Sequence, residues 1–255
     1  MKQAVLVVLA AAGMVSAFQA RSLKVGDPVA IADIDSDKAK GTPIQLAWSP
    51  DGGSFYLQTF EGTAPNTKYR HFLINRGGKA PDGIDAPPAW ATSYWNSKSS
   101  RTAPGRPDLV INVESRTKGG QTPMQDLHEK AAGMGNSGRG LVNAAAASDE
   151  AAGNQLIRVL TLNGVVVGEY VNTALVPGTT FGWSPEGLHA IAFAASQNGV
   201  LSVLDFSASA QSVQAVPGTK EIMLPAWSPD GKHIAFLEKV GRKHYALKEA
   251  PVTRE

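Results

Sequence analysis

Aromatic and basic side chains are concentrated in residues 90–106 of the 255-residue sequence. This stretch is polar and contains proline, so we interpret it as a hairpin between strands. Tyr, Trp and Arg are enriched among the residues that dominate protein interfaces, and loops on a rigid framework often carry binding residues. The candidate site for a partner protein, a peptide or a sugar consists of Tyr94, Trp95, Lys98 and Arg101. The alternative is that Trp90 and Trp95 belong to a core and that the bases are solvated.

Two histidines invite comparison with a metal site, because His189 and His233 each follow a repeated Trp by six residues. A zinc site normally needs three or more protein ligands. The corresponding positions of the other repeats hold Ser54, Asn96 and Gly140. Repetition in register indicates instead that each histidine has the same local role in its own unit. We therefore predict no metal site.

Three further strings match known motifs only in part. Residues 33–38 begin like a calcium loop, but Lys38 replaces the required Gly and Ile44 replaces the bidentate Glu. Residues 133–138 match a dinucleotide fingerprint but lack the preceding strand and the βαβ context. Residues 115–118 read Ser-x-x-Lys without the companion hydrolase motifs. The sequence therefore predicts no cofactor, no catalytic residue and no enzymatic activity.

Three copies of Trp-Ser-Pro-Asp/Glu-Gly organise the chain, at residues 48–52, 183–187 and 227–231. Ser accepts from the turn backbone, Pro presets φ and Gly takes the left-handed exit, so each copy signals a turn. Each copy lies between two apolar runs, which predicts a hairpin with a Trp at the end of its first strand. We expect these Trp side chains to pack between neighbouring units rather than to bind a ligand. The predicted structural residues are Trp48, Asp51, Gly52, Trp90, Trp183, Gly187, Trp227, Asp230 and Gly231.

The spacing of these copies predicts repeated four-stranded units. Pro-Ala-Trp occurs at residues 88–90 and again at 225–227, so we interpret Trp90 as a degenerate second copy, 42 residues after Trp48. Residues 134–142 supply a third copy, and the remaining steps are 44, 49 and 44 residues. A repeat of this length indicates one supersecondary unit stacked several times. We expect an all-β propeller of about five four-stranded blades, with six as the alternative.

The middle of the chain offers three strand candidates, at residues 109–113, 156–162 and 165–171. Their positions suit the third and fourth strands of the second and third units. Between the last two, Asn163 and Gly164 predict a two-residue hairpin turn. Residues 121–153 fit the repeat poorly, and we expect an insertion or a distorted strand there.

The last unit lacks a fourth strand, although a ring of blades must hide its open edge. A strand candidate at residues 29–33 stands before the first repeat. We therefore predict that this N-terminal strand completes the last blade. Residues 18–255 are then expected to form a single domain.

Residues 1–17 are predicted to be a secretory signal peptide, with an uncleaved membrane anchor as the alternative. Lys2 supplies the positive charge, residues 4–14 form an apolar run too short to span a bilayer, and residues 15–17 are small. No later stretch is apolar enough to span a membrane. The absence of Cys excludes a disulfide framework and a Cys-anchored lipoprotein. A net charge of +2 without a basic block argues against nucleic-acid binding.

The repeat at residues 227–236 resembles that of the TolB-like β-propellers, also called WD-like repeats. The same repeat occurs in propeller domains attached to prolyl-oligopeptidase-type hydrolases. The match is specific at residues 44–60, 179–206 and 222–248. The separate N-terminal α/β domain of TolB has no room before the first repeat. The resemblance implies a propeller fold and a periplasmic or secreted bacterial protein.

From these observations we expect a non-enzymatic scaffold in the periplasm or cell envelope. Its partner is expected to be another envelope or secreted protein, and the chain is expected to be a monomer. The alternative is a small-ligand-binding or hydrolase-type propeller that uses its central funnel. A partnerless remnant of a larger propeller is a third possibility.

Overall fold

The computed structural model describes residues 22–63, 65–78, 80–96, 102–103, 106–115, 155–172, 180–195, 198–207 and 212–255. Two helices and 17 strands lie in these ranges. The helices are α1 (Ser36–Ala39) and α2 (Ala89–Asn96). The strands are β1 (Leu23–Val25), β2 (Val29–Asp35), β3 (Thr42–Trp48), β4 (Ser54–Glu61), β5 (Lys68–Asn75), β6 (Asp82–Ile84), β7 (Thr102–Ala103), β8 (Arg106–Ser115), β9 (Gln155–Thr161), β10 (Val166–Asn172), β11 (Phe181–Trp183), β12 (Ala190–Ala195), β13 (Val200–Asp205), β14 (Ser212–Ala215), β15 (Ile222–Trp227), β16 (His233–Lys239) and β17 (His244–Arg254).

The strands form four antiparallel sheets, each of which we call a blade. The first blade has the order β3-β4-β5-β6, the second β7-β8-β9-β10 and the third β11-β12-β13-β14. The fourth has the order β15-β16-β17, with β1 and β2 both paired to β17. Consecutive strands joined by hairpins within separate four-stranded sheets are typical of a β-propeller.

The N-terminal strands complete the fourth blade, as the strand count predicts. Strand β2 pairs with the first part of β17, from Asp35 opposite His244 to Val29 opposite Glu249. Strand β1 pairs with the last part, and Leu23 lies opposite Arg254. Strand β17 is 11 residues long, so one strand accepts both partners. The pairing of β1 was not predicted.

Three apolar clusters lie between successive blades. One joins the second blade to the third, one joins the third to the fourth, and one joins the fourth to the first. The first and fourth blades therefore pack together although they are far apart in the chain, as expected when blades surround an axis. The protein is thus an all-β propeller. The described residues contain four blades, and the total of about five or six remains a prediction.

Trp90 does not end a strand, so its interpretation as a second copy of the repeat is wrong. It lies in α2, whose first turn begins after Pro88, where the amides of Ala91 and Thr92 donate to the Pro88 carbonyl. No Ser-Pro-Asp-Gly follows Trp90, and its i, i+4 spacing to Tyr94 suits a helix face. The predicted hairpin at residues 90–106 is likewise wrong for its first seven residues, which are helical.

The three strand candidates in the middle of the chain are confirmed as β8, β9 and β10, but their assignment to two units is wrong. Strands β8 and β9 pair directly, from Leu109 opposite Thr161 to Ser115 opposite Gln155, so they are neighbours in one blade. The hairpin between β9 and β10 is confirmed, with a loop of residues 162–165 instead of two residues. Residues 134–142, the insertion at 121–153 and the signal peptide lie outside the described residues.

Candidate functional site

The repeated turns are held by their own side chains. In the first blade, the Ser49 hydroxyl donates to Asp51 Oδ1 at 2.5 Å, and the Gly53 amide donates to the same oxygen at 3.1 Å. The Ser54 amide donates to Ser49 Oγ at 2.9 Å. The Ser49 hydroxyl, followed by the Gly53 amide, holds the pKa of Asp51 below its ordinary value of 3.8. The Asp51 carboxylate is therefore engaged in its own turn.

The fourth blade repeats this arrangement. The Ser228 hydroxyl donates to Asp230 Oδ1 at 2.6 Å, and the Lys232 amide donates to the same atom at 3.0 Å. The Ser228 hydroxyl is also the main cause that lowers the pKa of Asp230 from 3.8, ahead of the Lys232 amide. The two turns therefore share their hydrogen-bond geometry and the main cause that lowers the pKa of the aspartate.

The repeated Trp side chains lie between blades. The Trp48 indole donates to the Ala226 carbonyl at 3.0 Å, and the Trp227 indole donates to the Gly182 carbonyl at 3.1 Å. Each acceptor is the residue before the Trp of the neighbouring blade. Trp48, Trp183 and Trp227 are each 7% exposed. Trp183 lies in the cluster between the second and third blades, with Phe206 edge-on at 6.5 Å between ring centroids.

Gly182 is required by the close approach of the inner strands. A Cβ at this position would lie 2.4 Å from the Pro225 carbonyl oxygen of β15. Real Cβ atoms do not approach backbone oxygen so closely. A small residue before the Trp therefore lets neighbouring inner strands come together.

His189 and His233 are not equivalent, so the predicted common role is wrong. In the first and fourth blades the Trp lies opposite the residue seven positions later, but Trp183 lies opposite Ile191, eight positions later. The third turn has one extra residue, which leaves His189 in the loop at φ 52° while His233 begins β16. Within the described ranges, no group of three or more His, Asp or Glu side chains is arranged to hold a metal.

The first blade has one apolar and one polar face. Phe55, Leu57 and Ile74 face the fourth blade within an apolar cluster. On the other face of the sheet, the Tyr56 hydroxyl lies 2.7 Å from His71 Nδ1. Burial raises the pKa of Tyr56 to about 12, so its phenol keeps its proton at neutral pH. A phenol hydroxyl can donate or accept, so the direction of this bond follows from which ring nitrogen of His71 carries the proton.

Helix α2 covers this polar face. The Gln45 amide donates to the Ala91 carbonyl at 3.2 Å, and Ala91 is fully buried. The Trp90 ring meets the Tyr56 ring edge-on, 6.2 Å between centroids. We call this region the helix-covered face, defined by Gln45, Tyr56, His71, Trp90 and Ala91. It holds the start of the segment in which the sequence places a binding site.

The predicted binding residues are only partly located. Tyr94 and Trp95 lie in α2, although their side chains are not described. Lys98 and Arg101 lie outside the described residues. The contact of Trp90 with Tyr56 agrees with the alternative that Trp90 is a packing residue. The structure thus adds Gln45, Tyr56 and His71, which sequence reasoning missed, to the neighbourhood of this segment.

A second arrangement that sequence reasoning missed lies between the first and fourth blades. The Arg76 guanidinium donates to both carboxylate oxygens of Glu249, at 3.0 and 2.9 Å. Its carbon lies 5.4 Å from the centroid of the Trp48 ring. A forked pair of this kind orients the guanidinium, and the indole face adds a cation–π contact. This arrangement joins two blades and leaves no free charge for a ligand.

The known proteins to which the chain is similar are distant from it. No family model and no curated protein matches it. Among solved structures, TolB from Acinetobacter baumannii is 13% identical, with a TM-score of 0.35 over 84% of this chain and 44% of that one. The putative TolB from Agrobacterium tumefaciens is 15% identical, with a TM-score of 0.30 over 85% and 62%. An oligogalacturonate lyase in complex with manganese is 14% identical, with a TM-score of 0.34 over 84% and 48%.

The chain therefore spans less than two thirds of the length of these three proteins. Within the described residues, no helix has the length and apolar character needed to cross a membrane. By its sheet order and the packing between its blades, the chain is a β-propeller protein.

Proposed function

We propose that the chain is an exported, TolB-like propeller that acts without enzymatic activity as a protein-interaction scaffold in the bacterial periplasm or cell envelope. The observation that carries this proposal is the attachment of α2 to the first blade. Through Ala91 and Trp90, the helix fixes the start of the segment that contains Tyr94, Trp95, Lys98 and Arg101. Aromatic and basic side chains on a rigid base are typical of protein interfaces.

The helix-covered face supports this role because it fixes the helix at two points. The Gln45 side chain binds the helix backbone, while Tyr56, held by His71, packs against Trp90. A binding segment that starts from a fixed helix loses less conformational freedom when a partner binds. The expected partner is another envelope or secreted protein, and we propose a monomer.

Capture of partners from a cell-envelope extract tests this function. The variant Tyr94→Ala/Trp95→Ala/Arg101→Ala is expected to lose a discrete co-purifying protein that the unchanged chain retains, as measured by quantitative mass spectrometry. Tyr69→Ala is the matched control, because Tyr69 is 57% exposed on the first blade and lies outside the segment. Thermal unfolding of each variant checks that the fold is kept. Equal capture by all three proteins, or no discrete partner for any, would refute the proposal.

A further inference from the structure

One end of the fourth blade is rich in cations. Strand β15 begins there, β16 ends, β17 begins and β2 ends, so the loops at this end lie side by side along the sheet. We call residues 35–40, 220–221 and 239–244 the basic edge. Its cations are Lys38, Lys40, Lys220, Lys239, Arg242 and Lys243. The ends of β2, β15, β16 and β17 thus each have a positive charge nearby, whereas β1 lies at the opposite end of the blade.

The basic edge carries more positive charge than the whole chain. Its six cations stand against three carboxylates, Asp35, Asp37 and Glu221, which gives a net charge of +3. The complete sequence has a net charge of +2. At the opposite end of the same blade, residues 23–27, 230–232 and 254–255 contribute three cations and three carboxylates. The excess is therefore confined to one end of the blade.

Four of these cations are available to an external anion. Lys243 binds Asp37 at 2.7 Å, Lys239 lies 3.9 Å from Glu221, and the Asp35 carboxylate accepts from the Asp37 amide. The others are exposed and make no ion pair with a described residue, namely Lys38, Lys40, Lys220 and Arg242. Asp37 and Glu221 are thus paired with lysines, and the four exposed cations outnumber Asp35, the one carboxylate of this edge without an ion pair to a described residue.

The basic edge also contains an exposed apolar residue. Val240 lies in the loop between β16 and β17 and is 53% exposed. It stands between Lys239 and Arg242 in sequence. An apolar residue surrounded by basic residues suits the boundary between lipid headgroups and acyl chains, where the charges meet phosphates. An acidic protein would be attracted to the cations, but it would not require Val240.

We propose that the basic edge of the fourth blade binds the surface of an anionic lipid membrane, with Val240 entering the headgroup boundary. Attraction of this kind is reversible and screened by salt. It would hold the propeller with the end of the blade that carries the Trp turns facing away from the lipid. The inference is independent of the scaffold role, because it rests on a different blade and needs no protein partner.

Flotation of the purified full chain with lipid vesicles tests this binding. Vesicles of equal parts phosphatidylglycerol and phosphatidylcholine are compared with vesicles of phosphatidylcholine alone. The apolar run at residues 4–14 would add the same free energy of binding to both, so the readout is the ratio of the two partition coefficients, in which this contribution cancels. We expect the ratio to exceed about tenfold at about 0.05 M salt and to fall toward one at about 0.5 M.

Variants separate the basic edge from general charge attraction. Lys38→Gln/Lys220→Gln/Arg242→Gln is expected to abolish the preference for anionic vesicles, and Val240→Ser to weaken binding several-fold. Arg242→Gln alone is expected to weaken it about fivefold. Lys232→Gln, at the other end of the same blade, is the matched control and is expected to have no effect. Equal losses for Arg242→Gln and Lys232→Gln would overturn the proposal, as would an absence of preference for phosphatidylglycerol. Undiminished binding by Val240→Ser, combined with equal binding to soluble polyglutamate, would replace the lipid with an acidic protein surface.

Discussion

The Trp48 indole donates a hydrogen bond of 3.0 Å to the carbonyl oxygen of Ala226, a residue 178 positions later in the chain. The same relationship links Trp227 to Gly182 over 45 positions. In both cases the side chain of one blade satisfies a buried carbonyl of its neighbour. The indole therefore supplies apolar area and one specific hydrogen bond to the contact between blades.

Replacing Trp48 or Trp227 by Phe tests the contribution of this bond. Each change leaves a buried carbonyl without its donor and is expected to lower the free energy of unfolding by about 1–3 kcal/mol. Urea denaturation measures the loss. Trp90→Phe is the control, because the Trp90 ring packs edge-on against the Tyr56 ring and Phe keeps an aromatic ring at this position. A loss for Trp90→Phe as large as for the other two would contradict the role of the bond.

The pKa values of the turn aspartates predict an acid-sensitive stability. Their pKa is lowered in the folded protein, so the stabilisation is complete above the unfolded value of 3.8 and disappears as pH falls through the folded pKa. Between about pH 5 and pH 2, the double variant Asp51→Asn/Asp230→Asn is expected to lose less stability than the unchanged protein, because it has no carboxylate to protonate at these two positions. Urea denaturation at several pH values measures this difference.

Removal of the Ser228 hydroxyl tests separately what lowers the pKa of Asp230. Ser228→Ala is expected to move the pKa of Asp230 upward toward 3.8, while the pKa of Asp51 in the other turn stays low. Carboxyl chemical shifts followed by NMR report both groups in one titration. A Ser228→Ala variant in which Asp230 titrates unchanged would show that the hydroxyl is not the main cause.

Tyr56→Phe removes the hydrogen bond to His71 on the helix-covered face. At neutral pH we expect a loss of about 0.5–1.5 kcal/mol in the free energy of unfolding. Because the pKa of Tyr56 is raised from 10.0 to about 12, its stabilisation is present below pH 10 and is lost as pH rises through about 12. The difference between the two proteins should therefore shrink over that interval. Absorbance titration should also show that the variant lacks one phenol that ionises late.

The forked ion pair between Arg76 and Glu249 should stabilise the junction of the first and fourth blades. Arg76→Gln is expected to cost about 1 kcal/mol, because the guanidinium side chain is 37% exposed and partly screened by water. Lys24→Gln is the control, since Lys24 and Glu255 are 61% and 64% exposed. We expect that change to cost at most about 0.5 kcal/mol. Thermal unfolding at low and high salt compares the two variants. Equal losses of stability would contradict a larger contribution from the pair of Arg76 and Glu249.

The sequence was informative where the structure is held by neighbours in the chain. Ser49, Asp51 and Gly52 form their turn within a few residues, so the motif alone predicted the hairpin. The apolar runs that follow the Trp turns located β12 and β16, because strands with both faces buried have nearly continuous apolar sequences. The missing strand of the last blade was predicted from the need to cover a sheet edge, which is a general requirement of such folds.

Contacts between residues far apart in the chain left weaker signals in the sequence. Strands β8 and β9 are neighbours, but 39 residues separate Ser115 from the start of β9, so their pairing was not readable from sequence. Trp90 was misassigned because a tripeptide was matched without the turn that should follow it. Tyr56 and His71 meet diagonally across two strands, and nothing in either local sequence marks the other. The polar site was missed for that reason.

The pairing of β2 with β17 sets the earliest point at which the fourth blade can form during synthesis. Ser36, just after β2, binds Lys243, which lies 207 residues later. At typical rates of synthesis, a ribosome needs roughly 10–40 s to add that many residues. During this interval β2 has been made but its partner has not. The junction between β2 and β17 therefore forms only after β17 has been synthesised, and until then β2 lacks its partner in the fourth blade.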